Sequence, residues 1–548
     1  MGRAPLPVLP SDLPTGPGGG AFPEKPQGTG PRLMLEPGTL AVPVLPGESD
    51  TSVAFDWVQA AVEAVALGRV TVAGQTGPTV AALFYAMAGT ELYEAWQLFD
   101  PARTSLEWPS GRMLELLERT ARLLTTHLTA SGKEAFVDKV IAATAYQVLT
   151  GLAPQAEPLF AETHADHVQP LGQGLDGATQ LLAWQVSRAI LRRAADDGAA
   201  AGATATFTPV NGDPAHVIDI ARWTPGYRVG DDPGSGLQTC LTPGWGTVRA
   251  YLPAKHLEAF LATLKEPEPF LLRDGATADL QSRTITTAAG EVVPIDQAAV
   301  GSLINPAFIA QAERVIAVSA GLTEEQKFSA EFWEDGAGTP FPPGTWMIFG
   351  QYAAEQRDLP LWEEVKLYFS LGQALQSAAV ATWQGRTVAD YPRPVEVIRD
   401  LSALDLVGEP DPLTGLSTVA AYSRDTDETE TIDGTTWQTY QRPGGSYSPP
   451  IPEFPSGHST FSAAAAAVLE RLVGDDFGGA VSGRGVFEPA SANEVVTLHW
   501  DTWREASEAA GLSRLHGGIH LDDGNQQGLA LGALIGQATV QAATQLWA

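Results

Sequence analysis

Pro455-Ser456-Gly457-His458-Ser459-Thr460-Phe461-Ser462 runs straight into five alanines at 463–467. Ser456 is a natural N-cap, because its hydroxyl can accept from a backbone N–H that a first helical turn leaves unbonded. The alanines commit the following chain to a helix, since alanine loses the least side-chain freedom there. Gly457 lets a ligand approach the backbone closely. Free N–H groups and the positive end of the helix dipole then meet beside the imidazole of His458. The block predicts an oxyanion seat at a helix N-terminus.

Helical periodicity extends to either side. Phe55, Val58, Ala61, Val62 and Val65 share one face, and Val80, Leu83, Phe84, Met87, Leu92 and Trp96 another. Residues 113–128, 133–149, 174–195, 255–264, 306–317, 324–333, 362–385 and 525–546 read the same way, the last with Gln537, Gln541 and Gln545 on one face. Long apolar helices with polar links predict an all-α protein, a large helical bundle. Residues 206–251, rich in Pro, Gly and Trp, predict loop. Residues 418–450 carry the acidic run Asp425, Asp427, Glu428, Glu430 and Asp433. That run lacks the ligand spacing and the glycine of an EF-hand loop, and predicts a solvated hairpin. The first thirty residues hold seven Pro and seven Gly, so residues 1–48 predict a flexible tail. A helical part over 49–270 and a second over 271–548 complete the expected organisation.

Charge narrows the partners. Across 548 residues, 33 Lys+Arg face 64 Asp+Glu, a formal net charge of -31. Nucleic acid and anionic membranes are repelled by such a chain. One cysteine, Cys240, excludes a disulfide within the chain and reads as a small buried apolar residue. No apolar run reaches the ~18 residues of a membrane span, and no secretion signal opens the chain, so a cytoplasmic protein is expected.

Two further blocks carry chemistry. Arg386-Thr387-Val388-Ala389-Asp390-Tyr391-Pro392-Arg393-Pro394 sets two guanidiniums seven residues apart. Ser513-Arg514-Leu515-His516-Gly517-Gly518-Ile519-His520 places an arginine six residues before a histidine. Taken singly, each reads as an ordinary turn.

Taken together and in this order, the three blocks resemble the pattern shared by vanadium-dependent haloperoxidases and type-2 phosphatidic acid phosphatases. That pattern is a Lys, six residues, Arg-Pro; then Pro-Ser-Gly-His; then Ser-Arg, five residues, His. Residues 78–100, 139–152, 238–245, 319–338 and 362–399 are similar to bacterial haloperoxidases of the large, all-helical kind. The resemblance implies two four-helix-bundle-like halves with small loop or hairpin insertions. It implies His520 as the ligand of vanadium and His458 as the acid–base group. Arg386, Arg393 and Arg514 would neutralise the vanadate oxygens, and Ser456 and the Gly457 N–H would donate to them. Asp335, in Trp333-Glu334-Asp335-Gly336, resembles the carboxylate that fixes an arginine of the site. The implied cofactor is orthovanadate, with phosphate able to take the same seat. The implied partners are hydrogen peroxide, a halide and a small organic acceptor, and homodimers are common in such families. Guanidinium forks and a helix N-terminus suit a dense oxyanion, which agrees with the implied cofactor.

Two other readings follow from the same residues. In an acid phosphatase, His520 would form a phosphohistidine and His458 would protonate the leaving alcohol. In a non-catalytic helical scaffold, the anion seat would be a relict. The chain departs from the pattern at Arg386, where Lys is usual, and at Gly524, where an Asp often stands four residues after the histidine. The nearest carboxylates there are Asp522 and Asp523. Trp383 reads as a core tryptophan, and His516 as a histidine in a turn.

Overall fold

The structure is a computed structural model, and it describes residues 33–34, 51–100, 104–106, 112–423, 426–441, 445–485 and 495–547. The expected tail over 1–48 lies outside the described residues, apart from Leu33–Met34. The helices are α1 (Val53–Ala66), α2 (Pro78–Gln97), α3 (Arg112–Thr125), α4 (Ala130–Leu152), α5 (Glu157–Asp166), α6 (Gln173–Ala195), α7 (Ala199–Thr204) and α8 (Ala254–Leu261). They continue as α9 (Pro306–Ala320), α10 (Glu324–Phe332), α11 (Phe341–Arg357), α12 (Leu361–Ala389), α13 (Pro394–Ala403), α14 (Gly457–Val473), α15 (Trp503–His516) and α16 (Asp522–Thr544). Among the described residues the strands are short and form three separate sheets, so the protein is all-α with small sheet insertions. No helix among the described residues is long and apolar enough to cross a membrane.

Local chemistry explains where the helices start. Ser52 caps α1 by accepting from Phe55 N at 3.1 Å. Thr323 and Gln326 form a reciprocal capping box at α10, and Thr502 and Glu505 do so at α15. The loop expected over 206–251 contains no long element. The acidic hairpin is β6 (Ser417–Ser423) against β7 (Glu428–Asp433), an antiparallel pair with Val419 opposite Ile432. Its Asp427 meets Lys327 of α10 at 2.8 Å, and that ammonium stacks over the Tyr422 ring.

Helix packing positions the site. α16 carries glycine every fourth residue, at 524, 528, 532 and 536. A Cβ at Gly528 would lie 2.7 Å from Ser456 O, and one at Gly532 or Gly536 would collide with Thr460 O or Ala464 O. The alanine face of α14 therefore lies directly on the glycine face of α16, closer than ordinary side chains allow. The contacts climb in the same direction on both helices, so α14 and α16 run parallel. Their N-termini, at Ser456 and Leu521, lie at the same end. α12 crosses at that end too, where Gly385 faces Pro455. α2 and α12, on either side of the expected division at 270/271, pack with Gly89 and Gly372 against each other's backbone.

Two apolar cores fill the molecule. The larger runs from Val53 of α1 to Ala543 of α16. A stack of Trp333, Trp346, Phe349, Phe477, Trp500 and Trp503 within it supports α14, and Trp346 Nε1 donates to Ser462 Oγ at 2.9 Å. The smaller core joins α9, α13 and the acidic hairpin through Phe308, Ile398, Leu401, Val419 and Trp437.

Candidate active site

Five helix ends meet at one end of the bundle. They are the N-termini of α13, α14 and α16 and the C-terminal turns of α12 and α15. Arg386 lies in the last turn of α12, Arg393 precedes α13, and Arg514 lies in the last turn of α15. Ser456 caps α14, and His520 precedes α16 by two residues. The expected turn at Ser513–His520 is therefore the end of α15 and a short link into α16. Sequence distance is large, yet Arg386, Arg393, Arg514, His458 and His520 all act electrostatically on one another's neighbourhood.

The guanidiniums are buried and held from behind. Arg386 donates from Nε to Pro455 O at 2.9 Å and lies 5.0 Å over the Trp383 ring. Trp383 is thus both a core residue and the floor under this cation. No described residue accepts from the Nη1 or Nη2 groups of Arg386. Arg393 donates to Ile451 O and Ile519 O at 2.9 Å each. Arg514 donates to Ser513 Oγ at 3.0 Å, Gln441 Oε1 at 2.9 Å and Ala330 O at 3.1 Å. Burial, and for Arg386 the charge of Arg393, pushes these guanidiniums below their ordinary range.

The first turn of α14 adds further donors. Ser456 Oγ accepts from Ser459 N and bonds Ser459 Oγ at 2.8 Å. The N–H groups of Gly457 and His458 have no backbone acceptor among the described residues. A Cβ at Gly457 would sit 3.3 Å from Arg386 Nη2 and 3.7 Å from the Trp383 ring, so the glycine leaves room between helix and cation.

The state of His520 follows from its neighbours. Its Nε2 lies 3.1 Å from Arg393 Nη1, which can only donate, so Nε2 presents a lone pair. Its Nδ1 lies 2.5 Å from Glu453 Oε1, a carboxylate that accepts, so Nδ1 carries the proton. Glu453 Oε1 also accepts from Leu521 N at 3.1 Å. Burial and then the Arg393 and Arg386 charges hold the imidazole well below its usual pKa, so it stays neutral. Burial pushes Glu453 up, while Arg393 and Arg386 pull it back. Neither Asp522 nor Asp523 reaches His520. Asp522 faces Arg314 at 3.5 Å, and Asp523 accepts from Glu268 N at 3.4 Å.

His458 is part-exposed, and its Nε2 donates to Glu334 O at 3.2 Å. Burial of the ring and the Arg514 charge hold it well below the usual range. Neutral and protonated at Nε2, it presents Nδ1 as a base. Asp335 accepts from Thr345 Oγ1 at 2.8 Å, and Oδ2 has no hydrogen-bond partner among the described residues. It feels the Arg514 charge without bonding to it, and burial pushes its carboxyl up to about 7. His516 ends α15 as a buried group, pushed down to about 4 by burial and by Arg514. Cys240 is part-buried beside Arg386 and Arg393, and its thiol is pushed up to about 12 by burial.

The donor set fits a tetrahedral oxyanion. Three guanidiniums outweigh the one carboxylate, Glu453, that touches His520. Among the described residues nothing accepts from the Arg386 Nη groups or from Gly457 N and His458 N through the backbone, and the Arg386 charge acts on the His520 ring. Glu453 and Gln441, which bond His520 and Arg514, are the two residues of this cluster that the sequence did not single out. A single Glu in a proline-rich link carries no spacing signal, and the missing Asp at 524 was its one trace.

Residues 366–548 match the family model described as the VCPO second helical-bundle domain. Solved structures share the fold along nearly the whole chain. A holo-type bacterial vanadium-dependent chloroperoxidase superposes with a TM-score of 0.65 at 16% identity, covering 91% of this chain and 99% of that one. The apo-type bacterial chloroperoxidase gives 0.64 at 15% identity, covering 86% and 95%. A structure described as the first bacterial vanadium-dependent iodoperoxidase gives 0.58 at 17% identity, covering 90% and 97%. No curated protein matches the sequence. The resemblance to vanadium haloperoxidases stands on the matched domain and on the shared fold.

Proposed function

We propose, from the haloperoxidase bundle domain over residues 366–548, that the chain is a vanadate-dependent haloperoxidase. It oxidises a halide with hydrogen peroxide to a hypohalous acid, which halogenates a small organic acceptor. One observation carries the reading. Arg386 and the first turn of α14 lie side by side with donors that no described backbone group takes up, and the Arg386 charge acts on His520, whose Nε2 is unprotonated.

Arg386, Arg393 and Arg514 would hold the oxygens of orthovanadate, with Ser456, Gly457 N and His458 N donating beside them. His520 Nε2 would be the ligand of the metal. Bound vanadate supplies a Lewis-acidic centre at which peroxide is activated towards a halide. His458 Nδ1, neutral and at the exposed edge of the site, would take the proton that peroxide releases on binding. Asp335 would balance the charge of Arg514 from behind. The buried walls exclude water, so each charge-assisted bond counts for more than it would in solution.

The phosphatase reading keeps one point in its favour. A histidine with Nδ1–H on a carboxylate and an unprotonated Nε2 is equally suited to attack phosphorus. A paired assay separates the two. Protein loaded with orthovanadate, given peroxide and bromide, should brominate a 1,3-diketone. Loaded protein that does not brominate, or vanadate-free protein that does, contradicts the haloperoxidase reading. Vanadate-free protein is tested in parallel on an aryl phosphate. Release that disappears in His520→Ala would favour the phosphatase.

A further inference from the structure

Gly524 stands in the first turn of α16 with an ordinary helical backbone and no positive φ. Conformation therefore does not explain a glycine there, and inside a helix it costs ~1 kcal/mol relative to alanine. Space explains it. A Cβ at 524 would fall 2.5 Å from the carboxyl carbon of Glu453 and closer still to both carboxyl oxygens. Glu453 reaches this place from another segment, the Ile451–Pro455 link. Its own N–H is tied to Tyr391 O at 2.9 Å, and its side chain is fully buried. Oε1 then accepts from both His520 Nδ1 and Leu521 N, while Oε2 has no hydrogen-bond partner among the described residues.

We propose that Glu453 is the positioning residue of His520, and that Gly524 is the cavity that admits it. The carboxylate fixes the ring so that Nδ1 holds the proton and Nε2 points its lone pair at the anion seat. A partner of this kind sets both tautomer and orientation of a ligating histidine. The two positions then form one exchangeable unit. Either 453 supplies the carboxylate and 524 is glycine, or 524 supplies it and 453 is small. An aspartate at 524 would project its carboxylate from the spot that the Glu453 oxygens now fill, beside His520 Nδ1. The inference rests on the haloperoxidase reading only for the identity of the anion.

The test is a cycle of four full-length proteins: wild type, Glu453→Ala, Gly524→Asp, and the double variant. Three quantities are measured on each. The first is the His520 tautomer without any anion, from ¹⁵N-histidine NMR assigned with His520→Ala. The second is orthovanadate affinity by calorimetry, and the third is thermal stability. Wild type and the double variant should show proton on Nδ1 of His520. Glu453→Ala leaves only Arg393 Nη1, a donor shared with Ile519 O, to hold the ring, so it should show a tautomer mixture and bind orthovanadate roughly 10–100-fold more weakly. Gly524→Asp alone should lose stability and affinity, because two carboxylates compete for one space. Adding Glu453→Ala to it should restore both.

Recovery in the double variant is the signature that a purely structural Glu453 does not produce. If Glu453→Ala keeps the wild-type tautomer and affinity, the proposal is wrong. It is equally wrong if the double variant is no better than Gly524→Asp. If wild type binds no orthovanadate but the tautomers follow the cycle, the positioning role stands and the haloperoxidase reading falls.

Discussion

Arg393 Nη1 stands 3.1 Å from His520 Nε2, so a group that can only donate faces the one ring nitrogen without a proton. Arg393 also spans the carbonyls of Ile451 and Ile519 and is fully buried. Arg386, by contrast, makes one bond to the protein and is pushed against the charge of Arg393. The two arginines should therefore fail differently. Arg393→Gln should lower both the melting temperature and the affinity for orthovanadate, since it strands two carbonyls. Arg386→Gln should weaken orthovanadate binding about tenfold or more, in line with the ~1.5–3 kcal/mol of a bond to a charged group. Its vanadate-free melting temperature should not fall. Calorimetry and thermal unfolding on both variants decide the matter, and equal losses of stability would contradict the geometry.

The contact of α14 with α16 makes a second prediction. Gly532 lies where any Cβ would collide with Thr460 O and meet Ala463 Cβ at 2.9 Å. Gly532→Ala should destabilise the protein by roughly 1–3 kcal/mol, the usual cost of overpacking. Denaturant unfolding should show a lower midpoint. Val388→Ala, on an exposed position of α12, is the comparison and should leave the midpoint unchanged. A wild-type midpoint for Gly532→Ala would mean that the helices are not this close.

His516 gives a pH dependence with a definite sign. Its folded-state pKa is pushed down to about 4 by burial and by Arg514, while an unfolded histidine titrates near ~6.5. The unfolded chain therefore takes up the proton first. The contribution of His516 is fully present above about 6.5 and is lost as pH falls from there towards 4. Between these limits His516→Asn should gain on wild type by up to roughly 3 kcal/mol. Unfolding of the two proteins at pH 8, 6 and 4 measures it. A difference that stays constant with pH would show that the imidazole is not buried as described.

The net charge of -31 surrounds a site built from arginine. Long-range attraction then cannot speed the arrival of anions. Raising ionic strength from ~20 to ~200 mM with an inert nitrate salt should leave the orthovanadate association rate flat or slightly raised, because screening removes repulsion. A steep fall, followed by stopped flow, would mean that the pocket field reaches well beyond the acidic surface.

The all-α fold and the blocks that carry the candidate site residues were both legible in the sequence. Ser456, Gly457, the alanines and the flanking arginines declare themselves, because capping and charge are local properties. α16 and α12 were legible through long apolar faces. α11 was not, since Phe341–Arg357 opens with two prolines, contains two glycines and is buried on nearly every side, leaving no polar face. α15 hid its helix in a small-residue face, although the Thr502/Glu505 box marked its start. Glu453 could not be read because its meaning lies in a neighbour brought from residue 520 by the parallel packing of α14 and α16. The aspartates at 522 and 523 looked nearer in sequence, yet they begin α16 on faces that turn towards Arg314 and Glu268.

If Arg386, Arg393, Arg514, His458 and His520 form one seat for a tetrahedral oxyanion, orthovanadate should bind there. The most direct measurement is a calorimetric titration of orthovanadate into the purified chain, repeated with inorganic phosphate as competitor and with the Arg386→Gln/His520→Ala double variant. One orthovanadate should bind per chain, saturably and displaced by phosphate, and binding should be lost in a double variant that still unfolds cooperatively. Binding that is absent in the wild type, or that survives in the double variant, would contradict such a seat.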